Sequence, residues 1–362
     1  MKARLPACYG LSFTMSIVQV LHMPLLSIYG LSLGLEASQI GFALSLGSAI
    51  YVIVTLLAGV INGKLSPAKT MILSSTFLAV TYLVAPHAKD IAGFALLSCA
   101  ASFSYGLFWP SVEAIIASMG GSASLFSFSW SSGTLIGSLA SSAIISLSPI
   151  LFFYYISASL ALLSVFQVIY TSRLRVGTEA FSPRVFLTEL RGLYRHLRFS
   201  LIYASSMGSI LSFYPIIVEE GELPIVYISI SLFAIIALRT LIFLIFDKTS
   251  LPCKEHIGVS LVSLIAVLPF IRDTLLLALV AGLIGAGQGL LYGVALEETF
   301  KRCGSKSVCT GLFEGCIGIG YVIGPLVSGL ASVYSLDLAL PAVVLVCWLI
   351  HLLLVNQKVF IV

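Results

Sequence analysis

Three ionisable side chains interrupt the long apolar stretches of this sequence: Glu113, Arg239 and Glu314. A charge deep in an apolar run is costly to desolvate, so each should have a partner and a purpose. Glu113 falls about 11 Å from the middle of its helix at 1.5 Å per residue. There it is expected to reach Lys64 or Lys69 at the membrane edge. Arg239 and Glu314 fall at similar depth in the second half of the chain. They are expected to form a buried pair, either a staple within the bundle or part of an ion-coupling device, with Glu297 and Glu298 as competing partners nearer the surface.

Polar and aromatic residues recur at helical spacing around them. Ser12, Ser16, Gln19 and His22 form one stripe, and Ser102, Tyr105, Trp109 and Glu113 a second. Tyr203, Ser206 and Tyr214 form a third, and Gln288 and Tyr292 a fourth. Aromatic faces interleaved with hydrogen-bonding groups make a pocket for a small solute. The competing reading is hydrogen bonding between helices, and a lone histidine such as His22 suits that role better than proton carriage. No H-E-x-x-H motif and no close pair of carboxylates at depth points to catalysis. Cys253 and His256, with Cys303 and Cys309, do not have a usual zinc spacing, so neither metal nor cofactor is expected. The seven cysteines are odd in number and scattered, which argues against a disulfide framework.

The elements that carry these residues are membrane helices. The 362 residues are 59% hydrophobic and only 9% charged. No charge interrupts residues 5–35, 37–63 or 114–172, and a span needs roughly 20 apolar residues. The basic start followed by an apolar run resembles a signal peptide. The run is too long and lacks a small-x-small cleavage site, so it reads as the first span.

Twelve spans are expected, at about 7–32, 40–62, 70–87, 91–118, 123–147, 150–171, 199–218, 224–246, 256–271, 274–297, 308–333 and 338–356. With both ends cytoplasmic, 16 of the 19 basic residues fall on inner loops, and only Lys89 and Arg272 fall outside. The positive-inside rule expects such a bias. The long central loop has Ser182-Pro183, an N-cap followed by proline at the first helical position. Leu187, Leu190, Leu193 and Leu197 then share a face. This segment is either an amphipathic helix on the cytoplasmic leaflet or a charged linker that enforces topology.

The two halves repeat. Gly106 to Pro110 aligns with Gly289 to Gly293, and Gly133 to Ser138 with Gly320 to Pro325. The loop from Gly63-Lys64 to Lys69 aligns with Asp247-Lys248 to Lys254. Three ordered matches at an offset of 183 to 187 indicate a duplicated six-helix unit. The pairs Gly133/Gly137, Gly285/Gly289 and Gly320/Gly324 let helix backbones approach closely, as static packing or as a sliding surface.

With these motifs the chain resembles the major facilitator superfamily over its whole length. Gly59, Lys64 and Lys69 match the family's loop after span two, with Gly63 at the aspartate position and Ser66 at the second glycine. The second copy keeps Asp247 and Lys248. Gly320, Gly324, Pro325 and Gly329 match its span-eleven pattern, whereas span five has Ser138 in place of proline. The family's span-four arginine is absent near Ser98.

The resemblance implies an all-α membrane protein of two pseudo-symmetric six-helix bundles, 1–171 and 199–362, joined by the linker 172–198. It implies a cavity lined by spans one, four, seven and ten. Gln19, His22, Tyr105, Trp109, Tyr214, Gln288 and Tyr292 are then the candidate substrate contacts. Glu113, Arg239, Glu314, Lys64, Asp247 and Lys248 are the candidates for coupling or gating, and Gly133, Gly137, Gly320, Gly324 and Pro325 for helix packing.

The expected function is secondary transport of a small organic solute by alternating access in the plasma membrane, without direct use of ATP. Coupling to protons or another ion remains open. The expected partners are the lipid bilayer and the solute, with no nucleic acid, and the protein is expected to be a monomer. The rival classes are a non-transporting membrane receptor and an intramembrane enzyme.

Overall fold

A computed structural model describes residues 5–143, 147–171, 183–246, 252–302 and 306–355. Among them are twelve α-helices, matching the twelve expected spans one for one. They are α1 (Leu5–Ser32), α2 (Ala37–Leu65), α3 (Pro67–Val84), α4 (Ile91–Ser118), α5 (Ala123–Leu139), α6 (Pro149–Thr171), α7 (Pro183–Glu220), α8 (Val226–Ile245), α9 (Lys254–Val262), α10 (Thr274–Arg302), α11 (Lys306–Ser332) and α12 (Ala339–Val355).

Local chemistry sets several ends. The Asp90 carboxylate accepts from Gly93 N at 2.7 Å and caps α4. Gln39 reaches back to the Glu36 N–H at 3.0 Å and fixes the start of α2. Ten of the helices are long and apolar enough to cross a bilayer. The other two are α5 and α9. After Val262, α9 tightens into 3-10 winding over Ser263–Phe270, and Trp348 Nε1 donates to Ser263 Oγ at 2.8 Å where the winding changes. At 1.5 and 2.0 Å per residue the two pieces together span about 30 Å, one hydrocarbon thickness.

The outer faces are apolar. Leu275 is 80% exposed and Leu162 73% exposed, as side chains facing lipid should be. The inside is rich in serine, whose hydroxyls mostly bond back to their own helices, as Ser12 does to Cys8 O.

The linker helix and span seven are one helix. Pro183 starts α7, as the Ser-Pro pair predicts, and the helix runs unbroken to Glu220. At 1.5 Å per residue its 38 residues extend about 57 Å, well beyond the bilayer core. Leu193 and Leu197 are buried in the protein core instead of lying on lipid, while Leu187 is exposed. No proline or glycine separates Arg198 from Phe199, so nothing in the backbone ends the helix there.

Close contacts repeat between the halves. A Cβ added at Gly133 would meet Phe13 O, and one at Gly137 would meet Ile17 O. In the second half, a Cβ at Gly320 would meet Leu201 O, and one at Gly324 would meet Ser205 O. Thus α5 lies on α1 as α11 lies on α7, and these glycines are sites of close backbone approach. Gly106 faces Val54 and Tyr51 O, while Gly289 faces Ile242 and Arg239 O. Tyr51 and Arg239 therefore occupy equivalent places, 188 positions apart.

The halves meet along α1 and α7 and through two equivalent helix pairs. In one, α2 packs on α11: Ser45 Oγ donates to Val322 O at 3.0 Å, and Gly41 abuts Pro325 O and Gly329. In the other, α5 packs on α8: Ser131 bonds Thr240, and Ser229 Oγ donates to Ser142 Oγ at 2.9 Å.

Candidate functional site

A cavity of about 150 Å³ lies between the halves. Its lining comes from stripes four residues apart, the spacing that keeps side chains on one helix face. Helix α4 supplies Tyr105, Trp109 and Glu113, with Ser102 beside them; α5 supplies Phe126, Trp130 and Thr134; α7 supplies Tyr203, Met207 and Leu211. Gln19 and His22 come from α1, Tyr51 from α2, Arg239 from α8, Tyr292 from α10, and Glu314 and Tyr321 from α11. Most of these positions lie in the middle of their helices or nearer the linker end. The contacts Ser142–Ser229 and Gly41–Pro325 close the opposite end.

One rim of the cavity is cationic. Arg239 is only 2% exposed. Its Nη1 donates to Tyr203 Oη at 3.0 Å and its Nη2 reaches Thr134 Oγ1 at 3.5 Å. The guanidinium also lies over the rings of Trp130 and Tyr203, at 5.5 and 5.8 Å from their centroids. Its Nε has no partner.

The other rim is acidic. Tyr51 Oη donates to Glu314 Oε2 at 3.1 Å across the boundary between the halves. Glu113 lines the same cavity as Glu314. Tyr292 links the two rims through Tyr203, which bonds Arg239, and Phe313, which precedes Glu314. It packs edge-on against Tyr203 and Phe313, at 5.3 and 5.2 Å. A third group of polar atoms backs the wall in the first half: His22 Nδ1 bonds Tyr82 Oη at 2.7 Å, and Tyr82 Oη bonds Tyr105 Oη at 3.2 Å.

The expected pair of Arg239 and Glu314 does not form. Both line the cavity, but among the described residues no ion pair joins them. The topology explains this, because α8 packs on α5 and α10 while α11 packs on α2 and α7. Arg239 is held by Thr134 of α5 and Tyr203 of α7, and Glu314 by Tyr51 of α2. Glu298 meets His196 at 3.6 Å instead, and Glu297 meets Lys301. Glu113 does not reach Lys64 or Lys69. The phase of α4 turns it inward with Tyr105 and Trp109, while both lysines are exposed.

Two expected contacts lie elsewhere. Tyr214 shares the face of Tyr203 but sits about 16 Å further along α7 at 1.5 Å per residue, fully buried towards the closed end. Gln288 is also fully buried, with Nε2 donating to Ser206 Oγ at 2.9 Å, so it ties α10 to α7. Asp247 and Lys248 lie outside the described residues.

The sequence reading missed Tyr51, Phe126, Trp130, Thr134 and Tyr321. These sit on α2, α5 and α11, which the resemblance did not mark as cavity helices. The repeat-equivalence of Tyr51 and Arg239 was the available signal. Cys309 is disulfide-bonded, which the cysteine count did not foretell. Among the described residues, no cluster of three or more metal-ligating side chains occurs.

The fold matches solved structures of transporters. A variant of the nucleoside transporter NupG superposes with a TM-score of 0.78 at 16% identity, covering 98% of this chain and 100% of that one. NupG itself gives 0.76 at 16% identity, covering 99% of each chain. The human organic anion transporter MFSD10 (TETRAN) gives 0.66 at 16% identity, covering 97% and 99%. No family model matches the sequence, and no curated protein matches it. At this identity the likeness is one of fold. The chain shares the twelve-helix fold of these solved transporters, a multi-pass membrane architecture.

Proposed function

We propose that this chain is a secondary transporter that carries a small organic solute across the plasma membrane by alternating access. One observation carries the reading: a mid-membrane cavity, walled by both halves, holds aromatic rings together with Glu113, Arg239 and Glu314 where the two bundles meet. A site placed there is exposed to either side when one bundle rocks against the other. Cavities of about 150 Å³ hold a ring the size of benzene, so a solute with a single-ring body fits. NupG, similar in fold, is a transporter of nucleosides, which are also ring-bearing solutes.

Residues 1–171 and 199–362 hold the two moving units in this reading, the 183–198 turns of α7 move with the second unit, and both termini are cytoplasmic. Gln19, His22, Tyr105, Trp109 and Tyr292 contact the solute. Glu113 and Glu314 serve coupling. Two ionised carboxylates in one low-dielectric cavity repel, and a proton or a small cation relieves that repulsion. The protein acts as a monomer and needs no cofactor.

The test is uptake of a radiolabelled solute panel into proteoliposomes, with and without an imposed pH gradient. Accumulation above protein-free vesicles supports transport. Saturable binding without uptake of any bound solute would return the protein to the receptor class. Loss of gradient-driven accumulation in Glu314→Gln, with exchange retained at saturating solute, would assign the coupling.

A further inference from the structure

Resting on the transport reading above, we infer that the solute is a small zwitterion, carrying a carboxylate and an ammonium group on a body about the size of one ring. The two rims of the cavity have opposite and unmet requirements. Arg239 is almost wholly buried, bonds only neutral oxygens, and keeps Nε without a partner. Trp109 Nε1, on the cavity face of α4, is a second buried donor without a partner. A buried guanidinium with spare donors takes a carboxylate in preference to any neutral group.

Across Tyr292 the need reverses. Glu314 accepts from Tyr51 alone, and neither Glu314 nor Glu113 has a cationic partner among the described residues. Two carboxylates beside aromatic faces take an ammonium group.

The alternatives fit one rim and offend the other. A plain amine satisfies the acids but brings positive charge to Arg239 and leaves its donors unmet. A plain acid satisfies Arg239 but adds negative charge beside Glu113 and Glu314. Arg239 and Glu314 do not pair, because each is held by different helices, so the charges stay apart for a ligand to bridge.

Three probes that share one ring separate these cases: phenylalanine, phenethylamine and 3-phenylpropionate. Binding to the purified full-length protein is read by tryptophan fluorescence, since Trp109 and Trp130 both line the cavity, and by thermal shift. Phenylalanine should bind at least tenfold more tightly than either single-charge probe. Arg239→Gln should erase its advantage over phenethylamine, and Arg239→Lys should retain part of it. Glu314→Gln, or Glu113→Gln where the first does not fold, should erase its advantage over 3-phenylpropionate. Equal affinities, a tighter single-charge probe, or no binding of any probe overturns the inference. Accumulation of some other solute in proteoliposomes while none of the three binds would leave transport standing and remove the zwitterion. Phenylalanine that binds but is never moved would do the reverse.

Discussion

Trp109 and Tyr292 occupy equivalent places in the two halves and both face the cavity. Their rings supply contact area that alanine lacks, so Trp109→Ala and Tyr292→Ala should each weaken solute binding about tenfold or more, with the fold retained. Calorimetric titration with a solute taken up in the proteoliposome panel checks this, and unchanged affinity would make both rings packing only. The charged residues give a second test. Tyr51 and Glu314 share a hydrogen bond, so Tyr51→Phe and Glu314→Gln should show a coupling of about 1 kcal/mol or more in a double-mutant stability cycle. Arg239→Ala and Glu314→Ala should be additive within about 0.5 kcal/mol, because their partners differ. A larger coupling in the second cycle would mean that the pair forms after all. Much of this was legible in the sequence, since Tyr105, Trp109 and Glu113 recur every four residues on one apolar helix. What could not be read was the partner of each charge. Depth along the chain puts Arg239 and Glu314 level, but the packing order of helices decides which neighbours they face.

At the scale of helices, glycines separate close packing from mere permissiveness. A Cβ at Gly324 would strike Ser205 O on α7, whereas one at Gly192 would meet nothing within 4 Å. Overpacking at a tight site costs roughly 1–3 kcal/mol, so Gly324→Ala should destabilise by about that much. Gly192→Ala, in the exposed part of α7, should stabilise by about 0.5–1 kcal/mol through helix propensity. Denaturation in detergent measures both, and equal effects would show that α7 and α11 are not in close contact. The internal repeat made the Gly133/Gly137 and Gly320/Gly324 contacts foreseeable, because both copies had to serve the same geometry. The continuity of α7 was not foreseen. Hydropathy and charge divide the chain at Arg198, but a helix ends only where the backbone is broken or capped, and no such residue lies there. The 3-10 stretch of α9 was likewise invisible, since winding depends on contacts such as Trp348 with Ser263.

The whole molecule's proposed function depends on two halves that meet along α2 and α11, α5 and α8, and α1 and α7. Twelve spans follow from hydropathy and charge bias, and the duplicated motifs pointed to two alike halves. Which end of the cavity is closed could not be inferred, because the sealing contacts join residues far apart in sequence. Ser142 and Ser229 form one such contact at the end away from the linker. If rocking of the halves moves the solute, this contact must break once per cycle. Their hydroxyls are 2.9 Å apart, close enough for cysteines at both positions to be joined by a short bifunctional reagent. In a background without native cysteines, cross-linking Ser142→Cys to Ser229→Cys should stop uptake into proteoliposomes while leaving solute binding within about twofold of the uncross-linked protein. Either single cysteine treated alike should transport normally, which separates the cross-link from chemical damage. Normal uptake by the fully cross-linked protein would mean that this end stays shut throughout, and the rocking-bundle account would fall.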